Sequence, residues 1–287
     1  MPEIAATSLG PVEFETQGRG RPILVVHGTP GGHDQAKAMA GFLPTDEFQA
    51  IMPSRPGYLG TPLEGRETID QQADLHAALL DHLGVDSAGV LCWSGGGPSS
   101  YRLAVRHPDR VDGIVSLAAV SKQLPRPDED LPTRLMMRTA FGNWLLHAMA
   151  AHSPKSLISS TIAAEGDLTK EQVRAQTEQV FADPVKRRFV LDLDATVSER
   201  SERRGGFDHD YATFEAIDSL ELERITQPTL LIWGDADSDV LPEYSEFAAA
   251  TIPGAETIIL SEGTHLAFYT HLEAEAAQAR ARSLLRG

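Results

Sequence analysis

Short, almost wholly apolar runs that end at glycine or proline, with helical patterns between them, restrict this chain to an α/β architecture. Pro22-Ile23-Leu24-Val25-Val26 is the clearest, since a strand covered on both faces of a parallel sheet carries no polar alternation. Phe48 to Met52, Ala88 to Trp93, Gly113 to Val120, Thr229 to Trp233 and Glu256 to Leu260 are further strand candidates. Between them, Glu67 to Leu83 places Ile69, Ala73, Leu75, Leu79, Leu80 and Leu83 at helical spacing, and Pro98 to Arg106 follows a glycine triplet. Such alternation builds βαβ units, hence a mostly parallel central sheet flanked by helices. Ahead of it, Ile4 to Leu9 and Val12 to Gln17 predict a hairpin that turns at Gly10-Pro11.

The rhythm breaks between residues 121 and 224, where helical patterns follow one another without an apolar strand. With 287 residues, the chain is long enough for one α/β core and an insertion. We expect a core of residues 1–120 and 225–287 and a helical cap of 121–224. The cap's entry, Leu124 to Asp130, is polar and proline-rich, and its exit, Arg203-Arg204-Gly205-Gly206-Phe207, reads as a loop. Thr133 to Ala150 and Thr169 to Phe181 are predicted cap helices. The apolar stripe of the first includes Met136, Met137, Phe141, Trp144, Leu145 and Met149, which suits either helix packing or a pocket wall. Phe141 and Trp144, with Trp93, are the substrate-binding candidates.

Ser94 lies in Gly89-Val90-Leu91-Cys92-Trp93-Ser94-Gly95-Gly96-Gly97-Pro98, a strand that runs into a small-residue turn and then a helix. A nucleophile elbow has that context, because the serine occupies a strained turn whose neighbours two residues away must be small. Gly96 fits the pattern G-x-S-x-G, whereas Cys92 replaces its first glycine by another small residue. Neither G-x-x-x-x-G-K-[ST] nor G-x-G-x-x-G occurs at this turn, which argues against a nucleotide-phosphate loop.

A serine hydroxyl needs a base to take its proton, and an imidazole with a pKa of about 6.5 suits that role. Of ten histidines, His265 follows the last predicted strand in the loop Ser261-Glu262-Gly263-Thr264-His265, at the sheet edge where α/β sites form. His76, His82 and His107 lie on or at the ends of helices and read as structural or solvated. The third member is a carboxylate that holds the imidazole. Asp237 is the choice among the three that follow Leu230 to Gly234, with Asp235 and Asp239 as turn-capping alternatives. The chain order Ser94, Asp237, His265 is nucleophile, acid, base.

On these residues the chain resembles α/β-hydrolases of the serine-nucleophile, helical-cap type. His27-Gly28-Thr29-Pro30-Gly31-Gly32, Ser54-Arg55-Pro56-Gly57-Tyr58, the Ser94 turn, Gly234 to Pro242 and Gly263-Thr264-His265 carry the likeness. The resemblance implies Asp237 as the acid and an oxyanion hole from the backbone N–H groups of Thr29 and Gly95. His27 then reads as a loop-fixing residue and Arg55 as a loop or ion-pair residue. The implied activity is hydrolysis of a small carboxylic ester or lactone through an acyl-enzyme, rising through pH about 6 to 7 as the base ionises. No cofactor or metal is called for.

The same triad serves cofactor-free haloperoxidases and C–C hydrolases. The His27 to Gly32 run also resembles the corresponding loop of proline iminopeptidases, with Glu165, Asp192 or Asp194 as acids for a free amino terminus. A ligand-binding protein on the same scaffold is the non-enzyme alternative. A serine at the elbow, rather than an aspartate, argues against epoxide and haloalkane chemistry.

A net charge of −16 disfavours nucleic acid and anionic membranes, so the expected partner is a small-molecule substrate. One cysteine, Cys92, permits no internal disulfide, and the N-terminus lacks the basic-then-apolar pattern of a secretory signal. A cytoplasmic monomer or homodimer is expected.

Overall fold

β1 (Glu3–Thr7) and β2 (Gly10–Gly18) pair antiparallel with Thr7 opposite Gly10, in a computed structural model that describes residues 1–126, 152–196 and 201–287. The tight turn is therefore Ser8-Leu9, not Gly10-Pro11. Gly10 opens β2 at φ 111°, a conformation that glycine adopts without penalty. β3 (Arg21–Val26), β4 (Phe48–Pro53), β5 (Ala88–Trp93), β6 (Val111–Leu117), β7 (Thr229–Gly234) and β8 (Glu256–Leu260) complete an eight-stranded sheet in the order β1-β2-β4-β3-β5-β6-β7-β8. From β4 to β8 every neighbouring pair is parallel.

The central strands have no polar face because both faces are covered. Leu24, Val26, Val90 and Cys92 enter one apolar layer, and Ile23, Val25, Leu91 and Trp93 enter the other, as the two-residue period of a strand requires. The first layer is closed by α2 (Ile69–His82) and α3 (Gly97–Arg106). The second is closed by α1 (His33–Met39) and by the C-terminal helix Ala274–Arg286, whose Ala277, Ala281 and Leu285 are buried. Thr68 caps α2 in a reciprocal capping box with Gln71, which fixes where the apolar face of that helix begins.

β6 ends at Leu117 rather than at Val120. Ala118 turns to φ 40°, and Val120 N–H donates to the Ser94 carbonyl at 3.0 Å, so these residues leave the sheet to buttress the turn after β5.

Between β6 and β7 the described residues contain α4 (Pro154–Ala164), α5 (Lys170–Ala182), α6 (Pro184–Asp194) and α7 (Ser201–Glu215), and no strand. Phe141, Trp144 and the predicted helix from 133 to 150 lie outside the described residues. Arg203 to Phe207 are not a loop but the first turns of α7. Two glycines weaken a helix, yet here one of them is needed for contact: Gly206 N–H donates to the Gly57 carbonyl at 2.9 Å, and a side chain at 206 would meet the Tyr58 ring. The helix is bought by packing against the segment after β4, which the local sequence does not announce.

Candidate active site

β3 is flanked by β4 on one side and β5 on the other, so the chain switches direction across the sheet at this point. Ligand sites form in such a crevice, outside the carboxyl ends of the strands. The loops from His27 and from Ser94 leave β3 and β5 side by side, with Val26 in register with Cys92.

Ser94 has φ 53°, a left-handed conformation that is strained for any residue but glycine, and opens a 3-10 turn (Ser94–Gly96) leading into α3. The turn is tight because its glycines approach other backbone directly. A Cβ at Gly96 would lie 2.6 Å from the Val26 carbonyl oxygen, and one at Gly97 would lie 2.5 Å from that of Val120. Cys92, two residues before the serine, points into the core beside Ser100 and Ser116, where burial pushes its thiol up to about 11. Its departure from glycine therefore leaves the turn undisturbed and adds no reactive thiol.

Asp237 follows β7 and His265 follows β8, and the structure brings them together: Nδ1 of His265 lies 2.7 Å from Oδ2 of Asp237. The other Asp237 oxygen accepts from the N–H groups of Asp239 and Val240, at 2.9 and 3.0 Å. Gly234 and Gly263 permit this meeting, because a Cβ at Gly234 would lie 2.1 Å from the Gly263 carbonyl oxygen. Trp93 joins Ser94 to the pair. Its ring stacks on the imidazole with centroids 5.1 Å apart, and its indole N–H donates to the His265 carbonyl at 3.3 Å. Trp93, the substrate-binding candidate of the sequence, is 5% exposed and supports His265 from beneath. Among the described residues Nε2 of His265 has no hydrogen-bond partner, so it is not bonded to the Ser94 hydroxyl. Catalytic hydrogen bonds often tighten only when substrate binds.

Asp239 and Asp235 are more than interchangeable alternatives. Asp235 accepts from the Glu262 N–H and so caps the His265 loop. Asp239 places Oδ2 3.4 Å from Nε2 of His265, on the side of the ring opposite Asp237. Glu165, at the end of α4, joins it: Glu165, Asp239 and His265 each bring a ligand-type atom within 4.8 Å of the others. A cation held by these three would occupy the Nε2 lone pair that a base needs. Burial opposes an imidazolium, but the negative charges of Asp237, Asp239 and Glu165 outweigh it and push His265 from 6.5 up to about 10. Burial and Asp239 push Glu165 up to about 8. The inserted segment also grips this corner through its backbone: His265 N–H donates to the Glu165 carbonyl at 2.9 Å, and Asp167 N–H to that of Ala236 at 2.8 Å.

On the other side of Ser94, His27 and Arg55 hold the loop after β3. Nδ1 of His27 lies 2.7 Å from the Gly28 carbonyl oxygen, and Nε2 accepts from the Arg55 N–H at 2.8 Å. Gln35 accepts from Gly28 N–H and donates to the Pro30 carbonyl, both at 2.7 Å. A Cβ at Gly95 would lie 2.1 Å from Oγ1 of Thr29, so the two residues proposed for the oxyanion hole are in direct contact. Asp210 of α7, which sequence reading does not single out, completes a buried ion pair with Arg55. A cavity of about 560 Å³ lies elsewhere, between α4 and α5, and none of Ser94, Asp237 and His265 lines it.

The sequence profile of the alpha/beta hydrolase fold matches residues 21–272. An uncharacterized hydrolase of Bacillus subtilis, YcgS, is 29% identical over 267 residues, which cover 90% of this chain and 89% of that protein. Haloalkane dehalogenase 2 of Mycobacterium tuberculosis is 25% identical over 284 residues, 90% of this chain and 86% of the dehalogenase. Among solved structures, an alpha/beta hydrolase fold protein from Nakamurella multipartita superposes with a TM-score of 0.98 at 52% identity, covering 100% of this chain and 99% of that one.

Proposed function

The chain belongs to the alpha/beta hydrolase fold family, and within it we propose a serine hydrolase that cleaves a small carboxylic ester or lactone through an acyl-enzyme on Ser94. The observation that carries this reading is Ser94 at φ 53° on a strand-to-helix turn, with the bonded Asp237–His265 pair under the adjoining Trp93.

In the proposed cycle, Nε2 of His265 takes the hydroxyl proton as Oγ of Ser94 attacks the carbonyl carbon. Asp237 keeps the other ring nitrogen protonated and stabilises the imidazolium. Thr29 and Gly95 N–H groups receive the oxyanion, each such donor lowering the barrier by about 3 kcal/mol. His265 returns its proton to the leaving alkoxide, then activates water to release the acid. An alkyl-enzyme route to carbon–halogen cleavage needs a carboxylate nucleophile, and residue 94 is serine. The helices of the 121–224 segment are assigned as a cap that selects substrate, since α4 and its following turn reach the Asp237 and His265 loops.

A second reading, cleavage of aminoacyl substrates as in proline iminopeptidases, draws support from Glu165 and Asp239 beside His265, because paired carboxyls suit an amino group. A substrate panel separates the two. A fluorophosphonate should label the wild-type protein, and Ser94→Ala should lose both the label and turnover of p-nitrophenyl acetate and butyrate. Full ester turnover by Ser94→Ala would refute the acyl-enzyme, whereas hydrolysis of proline β-naphthylamide as fast as that of esters would favour the second reading.

A further inference from the structure

Asp210 takes no part in the proton transfers assigned to Ser94, Asp237 and His265, yet its carboxylate is among the most heavily bonded in the described structure. It sits on α7, 1% exposed. Arg55 donates to both of its oxygens, at 2.9 and 2.6 Å. Tyr58 Oη donates to Oδ2 at 2.6 Å, and Thr29 Oγ1 donates to the same oxygen at 2.5 Å.

The Arg55 guanidinium carries the connection further. It donates to the His27 carbonyl at 3.1 Å, the Gly28 carbonyl at 3.0 Å and Thr29 Oγ1 at 2.9 Å. Three successive residues of the loop after β3 are thus tied, directly or through Arg55, to one carboxylate on the inserted segment. Gln35 already holds the Gly28 N–H and the Pro30 carbonyl. What it leaves open is the orientation of Thr29 itself, and the Thr29 side chain bonds to Asp210 while it packs against Gly95 and lies near Phe214 of α7.

We propose that Asp210 is a positioning residue for the oxyanion hole: through the Thr29 hydroxyl and through Arg55 it aims the Thr29 N–H, so that the inserted segment completes the catalytic site. The proposal rests on the reading of Ser94 as the nucleophile. Its physical basis is that a hole built from two N–H groups tolerates little misdirection, and that a carboxylate accepting four donors in a buried setting has little freedom to move.

The test must separate this role from plain stabilisation, because removing Asp210 leaves a buried guanidinium without its partner and weakens the fold. Thr29→Val is the cleaner variant. It keeps the Thr29 N–H, the side-chain shape and the Arg55–Asp210 pair, and deletes only the hydroxyl link. Thr29→Val should lower kcat for p-nitrophenyl butyrate by about 10- to 100-fold with KM within about twofold, in line with the sensitivity of rates to ångström misplacement. Affinity for a trifluoromethyl ketone, which mimics the tetrahedral oxyanion, should fall in step with kcat, and Thr29→Ser should restore both. Asp210→Asn, where circular dichroism shows it folded, should reproduce the kcat loss.

A folded Thr29→Val with wild-type kcat and wild-type inhibitor affinity overturns the proposal. So does a folded Thr29→Ser that is impaired as severely as Thr29→Val, because the hydroxyl link would then not be what sets the rate. If instead Ser94→Ala keeps full ester turnover, the nucleophile assignment fails first and the proposal falls with it.

Discussion

Ser94 holds a backbone conformation that costs about 1 to 3 kcal/mol for a residue with a side chain, and its surroundings enforce it. Val120 N–H bonds its carbonyl, and Gly96 and Gly97 close the turn against β3 and the segment after β6. Beside it, His265 lies between two carboxylates, Asp237 on Nδ1 and Asp239 near Nε2. The base proposed at His265 needs a neutral ring, so a raised imidazole pKa moves the expected onset of activity to higher pH than the bare residue type predicts. The rate of ester hydrolysis should rise with an apparent pKa above the ordinary 6.5. Asp239 retains 42% side-chain exposure, so water screens its charge; at a dielectric near that of water, one charge a few ångströms away contributes about 1 kcal/mol, or roughly one pKa unit. Asp239→Asn should therefore shift the rising limb of the pH–kcat/KM profile down by about one unit. An unmoved limb would remove Asp239 from the electrostatics of the base. Asp237→Asn should instead cost about 10³-fold or more in kcat at every pH, since the ring loses its orienting partner.

Helix α7 shows how an element can form against its local signals. Gly205 and Gly206 stand next to each other near its start, but their surroundings differ. A Cβ at Gly205 would meet only the Gly57 carbonyl oxygen at 3.6 Å, an ordinary contact, whereas one at Gly206 would lie 2.4 Å from the Tyr58 ring. Gly205→Ala should accordingly stabilise the protein by about 0.5 to 1 kcal/mol through helix propensity. Gly206→Ala gains the same propensity and loses more to overpacking, about 1 to 3 kcal/mol, so its net effect is destabilising. Urea unfolding midpoints of the two variants check both signs. If both alanines stabilise, α7 does not depend on the close approach to Tyr58.

At the scale of the whole molecule, excess negative charge and buried acids act in the same direction. Burial raises Asp194 from 3.8 to about 7, despite the hydrogen bond from Thr161, so the folded chain holds a proton there at pH values where the unfolded chain has lost it. The folded state binds more protons across that interval, and stability falls as pH rises through it. His265 extends the trend: its folded pKa lies above 6.5, so its contribution is full below 6.5 and is lost as pH rises toward about 10. Repulsion among the side chains behind a net charge of −16 grows over the same range. The thermal midpoint should be at least about 2 °C lower at pH 8.5 than at pH 6, a shift that corresponds to about 1 kcal/mol, and Asp194→Asn should flatten the slope. A midpoint that rises with pH, measured by calorimetry, would contradict this account.

The sequence by itself determined the architecture, because a strand buried on both faces must be apolar throughout and a helix on a sheet must repeat its apolar face. That rule located β3, β4, β5 and β7 to within a residue at either end. It also pointed to the proposed Ser94, Asp237 and His265, since each lies in the loop that follows a strand and local glycines mark its turn. Asp210 gave no comparable sign: it pairs with Arg55 across 155 positions of the chain, inside a polar helical stretch. The sequence names Glu165, Asp239 and Trp93 for other roles and gives no sign of their places around the His265 ring, nor of the helix through Gly205 and Gly206. These were decided by tertiary structure alone, because a charge, a stacked ring or a close backbone approach acts through space, and residues far apart in sequence leave no periodic trace of meeting.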